Sequence, residues 1–482
     1  MADSRHIQWL QTARELDRAG EREQALDAYR RYLDAEPEGI EGWADCGGLL
    51  MQMGRLEEAR EACARALELD PGCQVARINS ACVLLRQGRL EAAEALLRQV
   101  LAQAPGRADA GLALAECRIL QGDCGEARTL LEARLGACPE DLQAHQMLGQ
   151  VLHRQGLWTD YRKELERRLA LVHGCPYAEF EQGYLELLAG NLPAGWRGFE
   201  ARLRVPGLIR PRRAFAQPRW TGTAFAGKTL LLHHEQGFGD TLMFVRFAPL
   251  VKALGGRVVL EVQPELADLV ATGAGIDAVV AHGAELPPFD LQLPLMSLPL
   301  VLGIDRAGIP AGVPYLDIPE QVPNRDWIAR LLAAAEHCTR VGLVWTGNAA
   351  FRNDAARSIP AEALGPLAGL RNVFFFGLQV DPAEKAPLPG FVPLGSWLSN
   401  FSDTAYALSG MDLVISVDTA VAHLAGALGI PTLLLLPHGP DWRWMLERED
   451  SPWYPSMRIY RQATPGDWGE VLTRLAADLA TP

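Results

Sequence analysis

Residues 54–71 read GRLEEAREACARALELDP and residues 88–105 read GRLEAAEALLRQVLAQAP, with glycine, alanine and proline at matching places. The spacing of these three residue types continues through the first half of the chain, with a period of 34 residues. The glycines are Gly20, Gly54, Gly88, Gly122, Gly156 and Gly190, the alanines are Ala25, Ala59, Ala93 and Ala127, and the prolines are Pro37, Pro71, Pro105 and Pro139. A fixed period of this length predicts stacked helix pairs.

Each of the three markers has a mechanical role in such a pair. Glycine lets the chain turn between the two helices, where a side chain would be costly. Alanine lets the two helices approach closely, and proline ends the second helix. The pattern predicts six units between about residues 6 and 209. The last two are irregular, because Tyr161 and Gly195 stand where alanine is expected.

The period and its markers resemble the tetratricopeptide repeat. The resemblance implies an α-solenoid over residues 1–209 whose concave face binds a peptide or protein. The alternative, a solenoid that only supports the rest of the chain, stays open.

Composition narrows the class of protein. The net charge is −13 and both halves of the chain are acidic, so no basic surface for nucleic acid is expected. Residues 1–20 alternate charged and apolar residues, and no apolar run approaches the length that spans a bilayer. None of the nine cysteines forms a Cys-x-x-Cys pair, which argues against zinc. We therefore expect a cytoplasmic protein with reduced cysteines.

The second half alternates short apolar segments with helical patterns. Predicted strands lie at 229–233, 257–262, 278–280 and 291–293, and a second series lies at 341–345, 373–378, 413–416 and 432–436. This β-α-β order predicts parallel sheets. We expect two Rossmann-like lobes, residues 210–322 and residues 323–482, with ligands at the carboxyl ends of their strands.

The first candidate motif, HHEQGFGD at residues 233–240, follows a strand and opens a helix. Gly237 and Gly239 let the backbone approach a ligand, and a helix N-terminus favours an anion. A dinucleotide fingerprint is disfavoured, because Leu242 replaces its third glycine. A tight turn without a ligand is the alternative.

The second motif, DTAVAHLAGALG at residues 418–429, also follows a strand. Here Thr419 and the first amides of the helix are candidates for holding a diphosphate. The alternatives are that Asp418 is only an N-cap and that His423 is only a core or capping residue.

Two further segments are polar or aromatic. The polar loop after the strand at 341–345 contains Asn348, Arg352, Asn353, Asp354, Arg357 and Ser358, and Arg357 can neutralise a phosphate. The segments at 441–444 and 451–455 contain four aromatic residues, which either stack on a sugar or base or pack against the sheet.

At these motifs, residues 225–475 resemble a GT-B glycosyltransferase and are most similar to the heptosyltransferases of glycosyltransferase family 9. The resemblance implies that Asp240, in the Gly-x-Gly-Asp turn, is the catalytic base. It places Arg357 where the family has a phosphate-binding lysine. Asp418, Thr419 and Ala420 match the family's Asp-Thr-Gly segment, with alanine replacing the glycine.

A tetratricopeptide region joined to such a domain looks like bacterial fusions that include flagellin glycosyltransferases. The resemblance implies a protein acceptor, such as a flagellin-like protein, and a nucleotide-sugar donor that is a substrate rather than a cofactor. No metal ion is expected, since no Asp-x-Asp motif lies near these loops. Two alternatives stay open: a non-catalytic interaction scaffold, and a lipopolysaccharide heptosyltransferase-like enzyme.

Overall fold

The computed structural model describes residues 3–480 except 173, 210–212, 336, 349–353 and 381–387, and describes side chains from residue 6 onward. The chain forms two compact units, the first ending at Leu171 and the second beginning at Val172. Arg352 and Asn353, named above for the polar loop, lie outside the described residues.

The first unit consists of antiparallel helix pairs. Its helices are α1 (Asp3–Arg18), α2 (Arg22–Ala35), α3 (Ile40–Gln52), α4 (Leu56–Leu69), α5 (Gln74–Arg86), α6 (Leu90–Gln103), α7 (Ala108–Gln121), α8 (Cys124–Ala137), α9 (Leu142–Arg154) and α10 (Trp158–Leu171). The marker alanines Ala25, Ala59, Ala93 and Ala127 are fully buried between the paired helices. Pro37 and Pro71 follow the ends of α2 and α4, as the proline rule predicts.

The marker glycines are required by backbone conformation. Gly20 through Gly190, at the 34-residue spacing, all have positive φ, between 66° and 84°. At Gly54 an added Cβ would meet nothing within 4 Å. Space is therefore not the constraint there, and the left-handed backbone alone favours glycine.

The second unit opens with a helix pair in the same register, α11 (Pro176–Leu188) and α12 (Leu192–Phe199). Trp196 of α12 is buried, and its indole N–H donates to the carbonyl of Ile304 at 3.1 Å. Gly195 permits the tight pairing of these helices, since a Cβ there would lie 2.8 Å from the backbone nitrogen of Leu187. The compact division thus falls ahead of residue 209, because the sixth helix pair packs against the α/β region.

Two parallel sheets follow, as predicted. The strands are β1 (Thr229–His233), β2 (Arg257–Val262), β3 (Ala278–Ala281), β4 (Leu291–Pro294), β5 (Thr339–Val344), β6 (Val373–Gly377), β7 (Phe391–Pro393), β8 (Leu413–Val417), β9 (Thr432–Leu436) and β10 (Met457–Arg461). The helices are α13 (Phe238–Phe244), α14 (Ala248–Lys252), α15 (Ala267–Val270), α16 (Leu298–Val301), α17 (Arg325–Leu332), α18 (Asp354–Arg357), α19 (Phe401–Ser409), α20 (Ala420–Ala427) and α21 (Trp468–Ala480). Residues 361–369 form a 3₁₀ helix, and Pro366 lies inside it.

The strand order places two crevices. The first sheet runs β3-β2-β1-β4 and the second runs β10-β9-β8-β5-β6-β7. The chain runs outward from β1 to β2 and β3 and then returns to β4 on the other side of β1. It likewise runs outward from β5 to β6 and β7 and then returns to β8 on the other side of β5. The order therefore reverses between β1 and β4 and between β8 and β5. Ligands in open parallel sheets bind at such reversal points, beyond the carboxyl ends of the strands.

Candidate functional site

The predicted motifs lie at these reversal points. Residues 237–240 follow the carboxyl end of β1, and residues 418–423 follow the carboxyl end of β8. The polar loop with Asn348 follows β5, the neighbour of β8. Asn348 is exposed. The fold therefore gathers three segments that are far apart in the sequence.

Asp240 lies at the start of α13, where its carboxylate has two partners. Its Oδ2 accepts a hydrogen bond from the backbone N–H of Gly237 at 2.9 Å, and its Oδ1 pairs with the guanidinium of Arg443. Gly237 is the residue before the helix, so this bond satisfies one of the amides that a helix start leaves open. The carboxylate of Asp240, the expected catalytic base, is thus bound by two other groups of the protein in this structure.

The α13 and α20 helices meet at a glycine. A Cβ at Gly239 would lie 2.7 Å from Cδ2 of His423, a distance that real contacts essentially never show. Glycine at 239 therefore permits the approach of the two helices, one from each sheet. This packing role was not part of the sequence expectation for Gly239.

The start of α20 does not have Asp418 as its N-cap. Thr419, not Asp418, is the residue that precedes the helix, and its side chain makes no capping bond. Its hydroxyl lies 3.2 Å from that of Ser416, and Ala420 is the first helical residue. The N-cap interpretation of Asp418 is therefore wrong.

His423 is a buried histidine. Its Nδ1 lies 2.9 Å from the hydroxyl of Tyr454, its ring stacks on Trp444, and its Nε2 lies 3.9 Å from the carboxylate of Asp418. Burial, helped by the nearby Arg443, holds the pKa of His423 well below its ordinary value. The imidazole of His423 is therefore neutral, and its role beside Asp418 is one of packing.

Arg357 reaches the same place from α18. Its Nε donates to Asp354 at 2.9 Å and its Nη1 donates to the backbone carbonyl of Asp418 at 2.8 Å. The hydroxyl of Ser358 also donates to Asp354, and it accepts from the amide of Gly347. This network joins Gly347 to α18 and places a cation beside the start of α20.

Arg443 is the site residue that sequence reasoning missed. It was grouped with an aromatic segment, yet Trp442, Trp444, Trp453 and Tyr454 are all buried and pack in the interior. Arg443 instead pairs with Asp240 and donates to Asp441 at 2.7 Å. Only its place between two tryptophans was a signal, since an arginine there must find a buried partner.

The acids of the site are more basic than ordinary aspartates. Burial raises the pKa of Asp240, although Arg443 opposes the shift. Burial and the charge of Asp441 raise the pKa of Asp418 to about 6, against the opposing Arg357 and Arg443. The site therefore combines two carboxyl groups of raised pKa with two arginines.

The last repeat-like helices support this cluster. Trp196 contacts Trp442 at 5.3 Å between ring centroids, and it also contacts Phe244 of α13 at 6.1 Å. The hydroxyl of Tyr184 in α11 lies 3.5 Å from the carbonyl of Pro440. The helix pair thus contacts both segments that hold Arg443 and Asp240.

Metal binding and membrane crossing are two further properties on which the structure bears. Within the part of the chain that the structure describes, no three His, Cys, Asp or Glu side chains are placed to hold a metal ion. Of the helices described, none combines the length and the apolar character that a membrane crossing needs.

Comparisons with known proteins identify the helical part. The tetratricopeptide repeat family matches residues 18–81 and 84–151. The N-terminal region consists of tetratricopeptide repeats. These repeats support a role in protein–protein interaction.

The similarity to one relative extends past the repeats of this chain. Protein FlbA of Caulobacter vibrioides is 28% identical over 330 residues, which cover 62% of this chain and 54% of FlbA. The chain thus spans about half the length of that relative. The 330 aligned residues exceed the helices that end at Phe199, so the similarity includes part of the α/β region.

Several solved structures are similar to part of the chain. The match to the structure of PilF from Pseudomonas aeruginosa covers 43% of this chain and 94% of the PilF chain, at 16% identity and a TM-score of 0.36. The type IV pilus biogenesis factor PilW covers 41% and 91%, at 20% identity and a TM-score of 0.37.

Proposed function

We propose that the chain is a glycosyltransferase of the GT-B type, which moves a sugar from a nucleotide-activated donor to a protein. The observation that carries the proposal is the ion pair between Asp240, which follows β1 of the first sheet, and Arg443, which follows β9 of the second sheet and acts on the charge of Asp418. A base from one sheet and cations from the other are what sugar transfer between two lobes requires.

The chemistry assigns a role to each group. The acceptor hydroxyl oxygen bonds to the anomeric carbon of the donor, and the bond from that carbon to the phosphate oxygen breaks. The phosphate leaves with the electron pair, and Arg357 with the first amides of α20 stabilises its charge. Asp240 takes the proton of the hydroxyl, and its raised pKa suits this task.

The solenoid supports a protein acceptor. Tetratricopeptide repeats support protein–protein interaction, and a protein selected there would present a serine or threonine hydroxyl to the α/β site. We propose a flagellin-like acceptor, on the resemblance to bacterial repeat–glycosyltransferase fusions.

A binding screen tests the donor half of the proposal. The full chain is mixed with UDP-, GDP-, ADP- and CMP-sugars, and the melting temperature is measured. We expect a rise with at least one nucleotide class, because a ligand of the folded state stabilises it.

A transfer assay tests the base. The chain is co-expressed with a candidate flagellin, whose intact mass is measured. Asp240→Asn is expected to lower sugar transfer by at least about a hundredfold. The control, exposed Asp268→Asn, is expected to retain transfer. Full transfer by the Asp240 variant would contradict the base assignment.

A non-catalytic interaction protein is the second candidate. Arg443 occupies Asp240, and Arg357 is engaged by Asp354 and Asp418, so the protein itself holds the groups that would act. This candidate predicts no melting shift with any nucleotide-sugar in the screen.

A further inference from the structure

We propose that Arg443 binds the donor phosphate and that, before the donor arrives, it holds Asp240 in an ion pair that the phosphate replaces. The inference rests on the proposed transferase function and deepens it. Arg443 is then both a phosphate ligand and a latch on the base, by which we mean that it holds Asp240 in an ion pair until phosphate binds.

On the edge of the Arg443 guanidinium that Nε and Nη2 form, only Nη2 makes a hydrogen bond to a described residue. Nη1 of Arg443 donates to Asp441 at 2.7 Å and Nη2 donates to Asp240. Nε is buried and has no hydrogen-bond partner among the described residues. Asp240 fills only half of this edge, since its Oδ1 accepts from Nη2 while its Oδ2 accepts from the backbone N–H of Gly237.

A phosphate fits that edge better than Asp240 does. The Nε and Nη2 groups point the same way and match two oxygens of one phosphate. Exchange of Asp240 for a phosphate therefore satisfies a buried donor that is otherwise unpaired. Unpaired buried donors are costly, which favours the exchange.

The side chain is anchored so that only this edge is exchanged. Its guanidinium lies over the ring of Trp442 at 4.5 Å, and Asp441 holds Nη1. Trp442 is itself packed against Trp196 and Phe199, with ring centroids 5.3 and 5.6 Å away. The carbonyl of Arg443 accepts from the indole of Trp453. The rest of the residue thus stays in place when Nη2 changes partner.

Arg443 also converges with Arg357 on one position. Both arginines act on the charge of Asp418, and Arg357 binds the carbonyl of that residue. A phosphate on the free edge of Arg443 would therefore lie near a second cation and near the start of α20. Two arginines from different elements are suited to a diphosphate or to a sugar phosphate.

The exchange links donor binding to the base. In the ion pair the cation of Arg443 opposes the rise that burial causes in the pKa of Asp240, so the carboxylate is less basic than burial alone would make it. Once phosphate takes Arg443, the carboxylate loses that cation and becomes more basic. Proton removal from the acceptor is then favoured only when a donor is in place.

Variants of the two partners test the latch on the full chain. The probes are UDP, GDP, ADP and CMP, and the dissociation constant of each is measured by calorimetry. Arg443→Lys and Arg443→Gln are expected to weaken the bound nucleotide by at least about tenfold. Asp240→Asn is expected to tighten it by at least about threefold, because a neutral amide competes less for Arg443.

The control and the outcomes are distinct. Arg458→Gln removes a half-exposed arginine of β10 that pairs with Asp478 of α21, and it is expected to leave nucleotide affinity unchanged. Nucleotide binding that is unaffected by the Arg443 variants, or weakened by Asp240→Asn, would overturn the latch while the transferase proposal stands. No binding to the wild type or to Asp240→Asn would overturn both.

Discussion

At the scale of single residues, the site is decided by where charged and small side chains meet. Asp240 and Gly239 were recognisable because they follow a strand and open a helix. Their partners were not, since Arg443 lies 203 residues from Asp240 and contacts it only through the fold. Sequence patterns describe local geometry and carry little information about such pairs.

Gly239→Ala tests the contact between the two sheets' helices. The added Cβ would lie 2.7 Å from Cδ2 of His423, whose ring is confined by Trp444 and Tyr454. We expect the free energy of unfolding to fall by about 1–3 kcal/mol, as overpacking does in a closed core. Urea denaturation measures the change.

Gly365→Ala is the matched control for that variant. Nothing lies within 4 Å of a Cβ at Gly365, so its effect should stay within about 0.5 kcal/mol. Equal effects of the two substitutions would refute the packing role of Gly239.

Asp418→Asn tests the raised pKa of Asp418. Burial and Asp441 raise the pKa of Asp418 to about 6, above the value of about 3.9 for an unfolded chain. The folded state then binds the proton more tightly, so this group's contribution to stability is present at low pH and is lost as pH rises from about 4 to 6. We expect the variant to be more stable than the wild type at pH 7, by about 1–3 kcal/mol.

The pH dependence separates this effect from a general one. The gain of Asp418→Asn should shrink as the pH falls to 4 and vanish below it, where the wild-type carboxyl becomes protonated in both states. His423 acts with the opposite sign, since its lowered pKa destabilises the fold at acidic pH, but it is common to both proteins. A gain that is the same at pH 4 and 7 would exclude the proposed cause.

At the scale of elements, burial explains which segments were predictable. The central strands β1, β8 and β9 were expected, because strands covered on both faces form continuous apolar runs. The strands that were missed, β7 and β10, are the two edges of the second sheet. Edge strands are shorter or carry exposed charged residues, so the apolar signal is weak.

Two glycines in the solenoid give a paired prediction with opposite signs. Gly54 has φ of 78° between α3 and α4, and alanine there should cost about 1–2 kcal/mol of stability. Gly111 lies inside α7 with open space around a Cβ, and alanine there should add about 0.5–1 kcal/mol. Thermal unfolding followed by circular dichroism at 222 nm compares the two.

The sign of each change is the decisive result. A stabilising effect of Gly54→Ala would contradict the view that backbone conformation places glycine at this step of the repeat. A destabilising Gly111→Ala would mean that the surface of α7 is covered.

At the scale of the whole molecule, the repeat pattern and the compact units divide the chain differently. The 34-residue period runs through Gly190, but the second unit begins at Val172. Aromatic packing explains the difference, since Trp196 contacts side chains of both α13 and the segment that carries Arg443. The last repeat-like pair is therefore part of the α/β unit.

Trp196→Ala tests this assignment. The side chain is almost fully buried, so we expect a loss of about 3–5 kcal/mol in the unfolding of the second unit. Hydrogen exchange should also become faster in residues 441–454. Trp327→Ala, which removes a half-exposed tryptophan stacked on Trp397, is the control and should have a smaller effect. Unchanged exchange in 441–454 would contradict the packing role of α12.

Local rules were enough for the repeat register, the central strands and the placement of the motifs at strand ends. Each depends on spacing within one element: a positive φ at glycine, a close approach at alanine, or burial on both faces. Only the tertiary structure decided that Arg443 pairs with Asp240, that Gly239 packs on His423 and that α11 and α12 belong to the second unit. These contacts join segments far apart in the chain, and their energy comes from desolvated charge and close packing, which no local period encodes.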